Sequence, residues 1–433
     1  MTTPKTRWIV TSIVLLCGSS LVTKQSASGG QQVLAAIPEI QKSVDAPKLP
    51  IVQKSVQKSA EVLGHEGVAK FENRKTEVAV RESVVRTARL VDCQSCENIF
   101  ESACDSAAGC CASKAGCIDF GGWIQMGYHS GSDGVFNDEP DHFNLHQTWL
   151  YAEKVADGRN GFGLGFRADI MYGTDADDTD SDGNDPGNWD YRNGFDHGPY
   201  GFALPQLYVE MAKGDLSVKV GHFFTIMRYE RVTSPDNFFY SRSKALDWCE
   251  PRTHTGALGT YAMSDNTNIY AGWTLGWDTG FDQRDGGSNF LGGFSTSVTD
   301  HATFTYVTTA GDLGREGEGY GHMLLLDIAV TCKLNYVLQS DFQDMDEDDG
   351  DTDNDVAITQ YMFYTINNTY AVGGRFEWIK QIDNGDYVDS QFQTTLGVNI
   401  RPRDNLVIRP EVRLQSDHIY DDTLFGIDAI LVF

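Results

Sequence analysis

The chain has 433 residues, with 34 Lys and Arg against 61 Asp and Glu, a net charge of −27. That balance excludes binding along a phosphate backbone, which needs clustered cations. A mean hydropathy of −0.33 with one short apolar run excludes a bundle of membrane helices, each of which needs about 20 apolar residues.

Lys5 and Arg7 precede the apolar run Trp8–Cys17, and the small residues Ser26-Ala27-Ser28 follow. A basic start, a short apolar stretch and a small-residue cleavage point predict a secretory signal peptide over residues 1–28. Residues 29–92 are mixed in charge and poor in aromatics, and read as a periplasmic linker, helical or disordered, with a helix expected over Glu72–Leu90. Residues 93–117 hold six cysteines: Cys93, Cys96, Cys104, Cys110, Cys111 and Cys117. In an exported chain such a cluster points to disulfides, and the absence of histidine within it argues against a metal knot.

From residue 118 to 433 the texture is aromatic, glycine-rich and period-two. This part carries 20 Lys and Arg against 50 Asp and Glu, so the acidity belongs to it. Phe392, Thr394, Leu396, Val398 and Ile400 share one face of a segment whose other face is Gln393, Thr395, Gly397, Asn399 and Arg401. Leu406, Ile408, Val412 and Leu414 likewise oppose Arg409, Glu411, Arg413 and Gln415. Sixteen such segments are expected, starting near residues 118, 144, 161, 202, 216, 256, 267, 289, 302, 320, 332, 356, 369, 391, 406 and 424. Alternation alone suits a soluble sandwich as well as a membrane barrel. Links after even-numbered segments are short, however, and those after odd-numbered ones mostly long, which is the pattern of an outer-membrane barrel. The row Phe425, Ile427, Ala429, Leu431 and Phe433 resembles the closing strand by which such barrels are recognised for assembly. The predicted fold is therefore all-β, a transmembrane antiparallel β-barrel of about 16 strands. Pro410 lacks the N–H that a central strand needs, and a bulge is expected there.

A barrel of this width leaves an aqueous channel unless something fills it. The longest link, Ile226 to Thr255, combines cations (Arg228, Arg231, Arg242, Lys244, Arg252) with anions (Glu230, Asp236, Asp247, Glu250) and aromatics including Phe238, Phe239 and Tyr240. Those aromatics would be costly in water, so the loop, with Asn237 and Ser241, is expected to fold inward as a pore constriction. Arg167, Asp169, Lys219, Arg375, Glu377, Arg409, Glu411 and Arg413 are expected to line the wall. The strings Tyr229-Glu230, Asn237-Phe238-Phe239-Tyr240-Ser241, Glu250-Pro251 and His254-Thr255-Gly256 resemble the Putative β-barrel porin-2 family over about residues 118–433. The resemblance implies an outer-membrane porin that passes small hydrophilic solutes by passive diffusion.

Asp178, Asp180 and Asp182 have the spacing of calcium ligands, but Trp189 falls at the twelfth position, so this is no EF-hand. They remain weak candidates for Ca2+ at an acidic external loop, and no cofactor is otherwise required. No catalytic motif is present. The alternatives are an outer-membrane barrel enzyme such as a lipid hydrolase, or a secreted acidic β-sandwich that binds carbohydrate. Expected partners are outer-membrane lipid, small hydrophilic solutes and the barrel-assembly machinery, with homo-oligomerisation open and nucleic acid excluded. The expected location is the cell outer membrane, with the N-terminal segment in the periplasm.

Overall fold

The computed structural model describes residues 118–433, apart from 133–135, 182–186, 188, 283–285, 347–351, 384–385 and 417–420. The expected signal peptide, linker and six clustered cysteines lie outside the described residues, as does Asp182. Sixteen strands follow one another: β1 (Asp119–His129), β2 (Phe143–Lys154), β3 (Phe162–Gly173), β4 (Gly201–Lys213), β5 (Leu216–Phe224), β6 (Thr253–Ser264), β7 (Thr267–Thr274) and β8 (Ser288–Thr299). The second half is β9 (Ala302–Asp312), β10 (Glu318–Ala329), β11 (Leu334–Asp346), β12 (Thr352–Thr365), β13 (Tyr370–Asp383), β14 (Asp386–Arg403), β15 (Leu406–Ser416) and β16 (Asp421–Val432). Each pairs antiparallel with its neighbours in sequence, and β1 closes on β16 from Trp123↔Val432 to His129↔Gly426. No edge is left to aggregate.

The two faces are inverted relative to a soluble protein. Leu396 is 56% exposed, whereas Thr395 and Asn399 beside it are at most 1% exposed. Phe162, Leu164, Val412 and Leu414 are exposed, while Arg375, Glu377, Arg409, Glu411 and Arg413 are buried. Exposing apolar area to water costs about 25 cal/mol per Å², so the outer face calls for lipid and the enclosed face takes the polar groups. A closed barrel also overturns the sandwich alternative.

Strand starts follow the alternation closely except where the chain leaves its apolar zone. β14 begins at Asp386 rather than near 391, and β12 at Thr352 rather than near 356. Alternation reports only the lipid-facing stretch, whereas backbone pairing continues through polar residues beyond it, as in Asp355↔Gln381 and Lys380↔Ser390. Thr253-His254-Thr255, read from sequence as the end of the loop, belong to β6 and pair with Phe224, Phe223 and His222.

Pro410 corrects a further expectation. It makes no bulge: β14 and β15 pair Gly397↔Glu411 and Ile400↔Ile408 in one register, and the pairs between them are missing. On its other side Pro410 pairs with Ile427 in an unbroken ladder with β16. The missing N–H therefore interrupts one ladder without adding a residue, and the irregularity in that ladder lies between Ile400 and Arg403.

Candidate functional site

Residues 225–252, between β5 and β6, fold locally before they meet the wall. Asn237 closes a tight loop by accepting from Arg231 N (2.8 Å) and donating to the carbonyls of Arg231 (2.7 Å) and Thr233 (3.1 Å). Inside it lies a one-turn 3-10 helix, Ser234–Asp236, whose Pro235 supplies the preset φ of a first helical position. A five-residue helix, α1 (Lys244–Trp248), follows, and Lys244 Nζ lies 5.4 Å from the Trp248 ring centroid.

The segment is fastened to the enclosed face of strands far from its own. Arg375 on β13 donates Nε to Glu377 (2.8 Å), Nη1 to Glu230 (2.8 Å) and the Ser241 carbonyl (3.0 Å), and Nη2 to the Arg242 carbonyl (2.9 Å). Arg409 on β15 directs Nη1 at the carbonyls of Ser234, Asn237 and Phe239 (3.0, 2.8 and 2.8 Å), while its Nε and Nη2 hold Asp428. Glu411 accepts from the backbone N–H of Tyr240 (2.8 Å) and Ser241 (3.1 Å). Glu377 accepts from Lys244 N (2.7 Å), and Gln147 on β2 bonds to Val232 O and Ser234 N. Buried polar groups are tolerated when paired in this way.

Apolar contacts complete the seating. Phe238 lies against Gly373, Phe239 against Gly397, and Tyr240 against Gly127 and Gly426, each so close that a Cβ there would meet the aromatic side chain (at Gly127 its hydroxyl) at 3.0 Å or less. Four wall positions without side chains thus make room for three consecutive aromatics. At the base, Met227 packs with Phe223, Leu258 and Leu291, and Val232 and Leu246 join the stacked pair Trp123–Trp149 (4.7 Å). The Tyr240 hydroxyl is 2.6 Å from His146 Nε2, and His146 Nδ1 is 2.9 Å from Asp175. All three are at most 2% exposed, so this relay fixes the loop and presents no accessible nucleophile.

The expected site residues fall into groups. Glu230, Asn237, Phe239, Tyr240, Ser241 and Arg242 are buried in the attachment, and Arg242 directs its Nη1 and Nη2 at the carbonyls of Tyr240 and Val232 and at Ser234 Oγ. Arg228 is buried beside Glu250 (3.5 Å) and donates to the Pro251 carbonyl. Desolvation pushes the Arg228 guanidinium down to about 10 and the Glu250 carboxyl up to about 7. Arg231, Asp236, Phe238, Lys244, Asp247 and Arg252 keep part of their surface open. Of the wall residues, Arg375, Glu377, Arg409 and Glu411 meet the loop. Arg167 and Asp169 instead pair with each other on β3 (2.5 Å), and Lys219 lies over Tyr208 (4.6 Å). Sequence reasoning missed Gln147, His146, Asp428, the wall glycines and Gln339, which on β11 accepts from Tyr229 N (3.1 Å). Only the glycines' recurrence at polar-face positions could have signalled their role.

In the acidic loop between β3 and β4, Asp178 accepts from Phe136 N (2.7 Å), and burial pushes its carboxyl up to about 8. Among the described residues, no group of three His, Cys, Asp or Glu is arranged to hold a metal ion. Cys249 and Cys332 are free thiols among those residues.

The barrel is similar to the loop L8 deletion mutant of OmpT, an outer membrane protein of Vibrio cholerae. The TM-score is 0.51 at 12% identity, over 74% of this chain and 100% of that one. OmpT in its in-vitro folded trimer form gives 0.50 at 12% identity, over 74% and 100%. The outer membrane channel DcaP of Acinetobacter baumannii gives 0.51 at 10% identity, over 73% and 97%. At these identities the likeness is one of fold. Among curated proteins there is no sequence match. The model of the family described as Putative beta-barrel porin-2, OmpL-like, matches residues 117–431. That match spans the whole barrel and the loop fastened to it, and the chain belongs to this family of outer-membrane β-barrels.

Proposed function

We propose that the barrel is a non-enzymatic diffusion channel for small hydrophilic solutes, narrowed by residues 225–252 folded into its bore. The observation that carries this reading is the attachment of the loop to Arg375, Arg409 and Glu411, which stand on the enclosed face of β13 and β15. A lid lying outside the barrel could not reach those side chains. The loop leaves Arg231, Lys244, Arg252, Asp236 and Asp247 partly open, so both signs of charge border the path that remains. Solutes are then screened by size and by charge at close range. The acidic balance of the barrel raises the local concentration of cations at its mouth.

Purified protein added to planar bilayers should give discrete conductance steps and should migrate differently on gels before and after heating. Folded protein that inserts without conducting would refute the channel.

A further inference from the structure

The loop and the proposed channel use the enclosed face; the membrane-facing side carries a separate feature. Leu207 on β4, His222 on β5 and Thr255 on β6 form one cross-strand row, and the 42% exposure of Leu207 places that row on the outer surface. His222 and Thr255 are nevertheless buried. Two long loops fold over them. Trp189, from the β3–β4 loop, packs edge-on against His222 (6.1 Å) and against Phe281 of the β7–β8 loop (4.8 Å). Its backbone N–H donates to Asp282 (2.9 Å), which ties the two loops together. Beside this roof is an open cavity of about 580 Å³ lined by Leu207, Val209, Val220, Ala257, Leu275 and Phe281, among others. Val220 is two residues from His222 on the same strand face, and Phe281 belongs to both roof and cavity.

The polar atoms at the roof are specific. Thr255 Oγ1 gives its hydrogen to the Thr279 carbonyl (2.6 Å), so it accepts from His222 Nδ1 (2.9 Å). In the neutral ring the lone pair then sits on Nε2. His222 Nε2 and Trp189 Nε1 are both buried with no hydrogen-bond partner among the described residues. An acceptor and a donor on adjacent rings beside an apolar cavity match a group that accepts and donates at once, which is a hydroxyl.

The geometry points to a lipid site: the cavity takes an acyl chain of an outer-leaflet lipid, and a hydroxyl on that chain bridges Trp189 Nε1 and His222 Nε2. The location selects the occupant. The cavity lies on the lipid-facing side of spanning strands, at the end that carries the long loops, where membrane lipid reaches it directly.

The test places the full chain in phosphatidylcholine nanodiscs and titrates it with 3-hydroxytetradecanoic acid and with tetradecanoic acid. Both probes carry a nitroxide near the chain end, and the motionally restricted fraction is read by electron spin resonance. One saturable site is expected, with the hydroxylated probe bound about 5-fold more tightly, as one net hydrogen bond allows. Ala257→Trp should abolish binding of both probes, and His222→Phe should remove only the preference. Single-channel conductance should stay at the parent value in both variants. Absence of a saturable site, equal affinity of the two probes for the parent, or undiminished binding to Ala257→Trp overturns the proposal. Should Ala257→Trp fail to assemble, as judged by heat-modifiable migration, the preference and its loss in His222→Phe decide the matter.

Discussion

Arg375 and Glu230 are 145 positions apart in sequence and 2.8 Å apart in the barrel, and this pair joins the loop to the far wall. Every nitrogen of the Arg375 guanidinium finds an acceptor, so its burial is compensated. Arg375→Met should therefore strand Glu230 and Glu377 and destabilise the folded barrel by about 3–5 kcal/mol. The temperature of the heat-modification transition measures this. Glu230→Gln in the Arg375→Met background should recover part of the loss, as a double-mutant cycle would show.

Charge selectivity should follow the partly open cations and not the buried ones. Replacing Arg231, Lys244 and Arg252 by Gln should shift reversal potentials toward cations by about twofold or more in permeability ratio at low salt. The shift should shrink at 1 M salt, where the Debye length is about 3 Å. Arg242→Gln should instead lower stability by about 1–3 kcal/mol, because its bonds to carbonyls are lost.

The wall glycines should be intolerant of bulk. Gly426→Val places methyl groups where the Tyr240 ring lies, and Gly397→Leu does the same to Phe239. Either should unseat the loop tip while leaving the strands paired. Noisy openings and a higher mean conductance are the expected records in planar bilayers, with heat-modifiable migration retained.

Glu250 should make loop seating depend on pH. Burial raises its carboxyl from 4.5 to about 7, so the folded state binds the proton more tightly than the unfolded chain. The stability this contributes is full below about pH 4.5 and is lost as pH rises through about 7. The transition temperature should accordingly fall between pH 5 and pH 8. In Glu250→Gln that part of the slope should vanish.

Deleting residues 236–244 tests the proposed bore directly. From sequence, a segment without strands looks removable at no cost to the barrel. The bonds to Arg375, Arg409 and Glu411 alter that expectation, because the deletion removes both backbone partners of Glu411 and leaves Arg375 with Glu230 and Glu377 and Arg409 with Asp428 and the Ser234 carbonyl. Solvent entering the widened bore should rehydrate them, so the barrel should still assemble with a lower transition temperature and a larger size cutoff in liposome swelling.

The fold was readable because a barrel between lipid and water stamps period two on every spanning segment. Thr395, Leu396 and Gly397 alternate between the enclosed and outer faces as their polarity requires, and the starts of β5, β7, β9 and β15 coincide with the expected ones. The extensions of β12 and β14 were invisible because Thr352–Asp355 and Asp386–Ser390 are polar in sequence and lie beyond the zone where side chains must suit lipid, although their backbone pairing continues. The candidate site was legible as a composition and not as a set of contacts. Aromatics and opposed charges marked the loop, but nothing in one dimension says that Arg409 reaches Phe239 across 170 residues.

The loop's anchors lie across the line where the barrel closes. Tyr240 rests on Gly127 of β1 and Gly426 of β16, and Gln125 reaches Asp428 (2.8 Å) across the line where the first and last strands meet. Asp428 in turn holds Arg409, which grips the loop. These partners stand on both sides of the line where β1 meets β16, so the complete seat for the loop requires the closed circle. The loop is thus a stitch over the closure seam, fastening the first strand to the last from the inside.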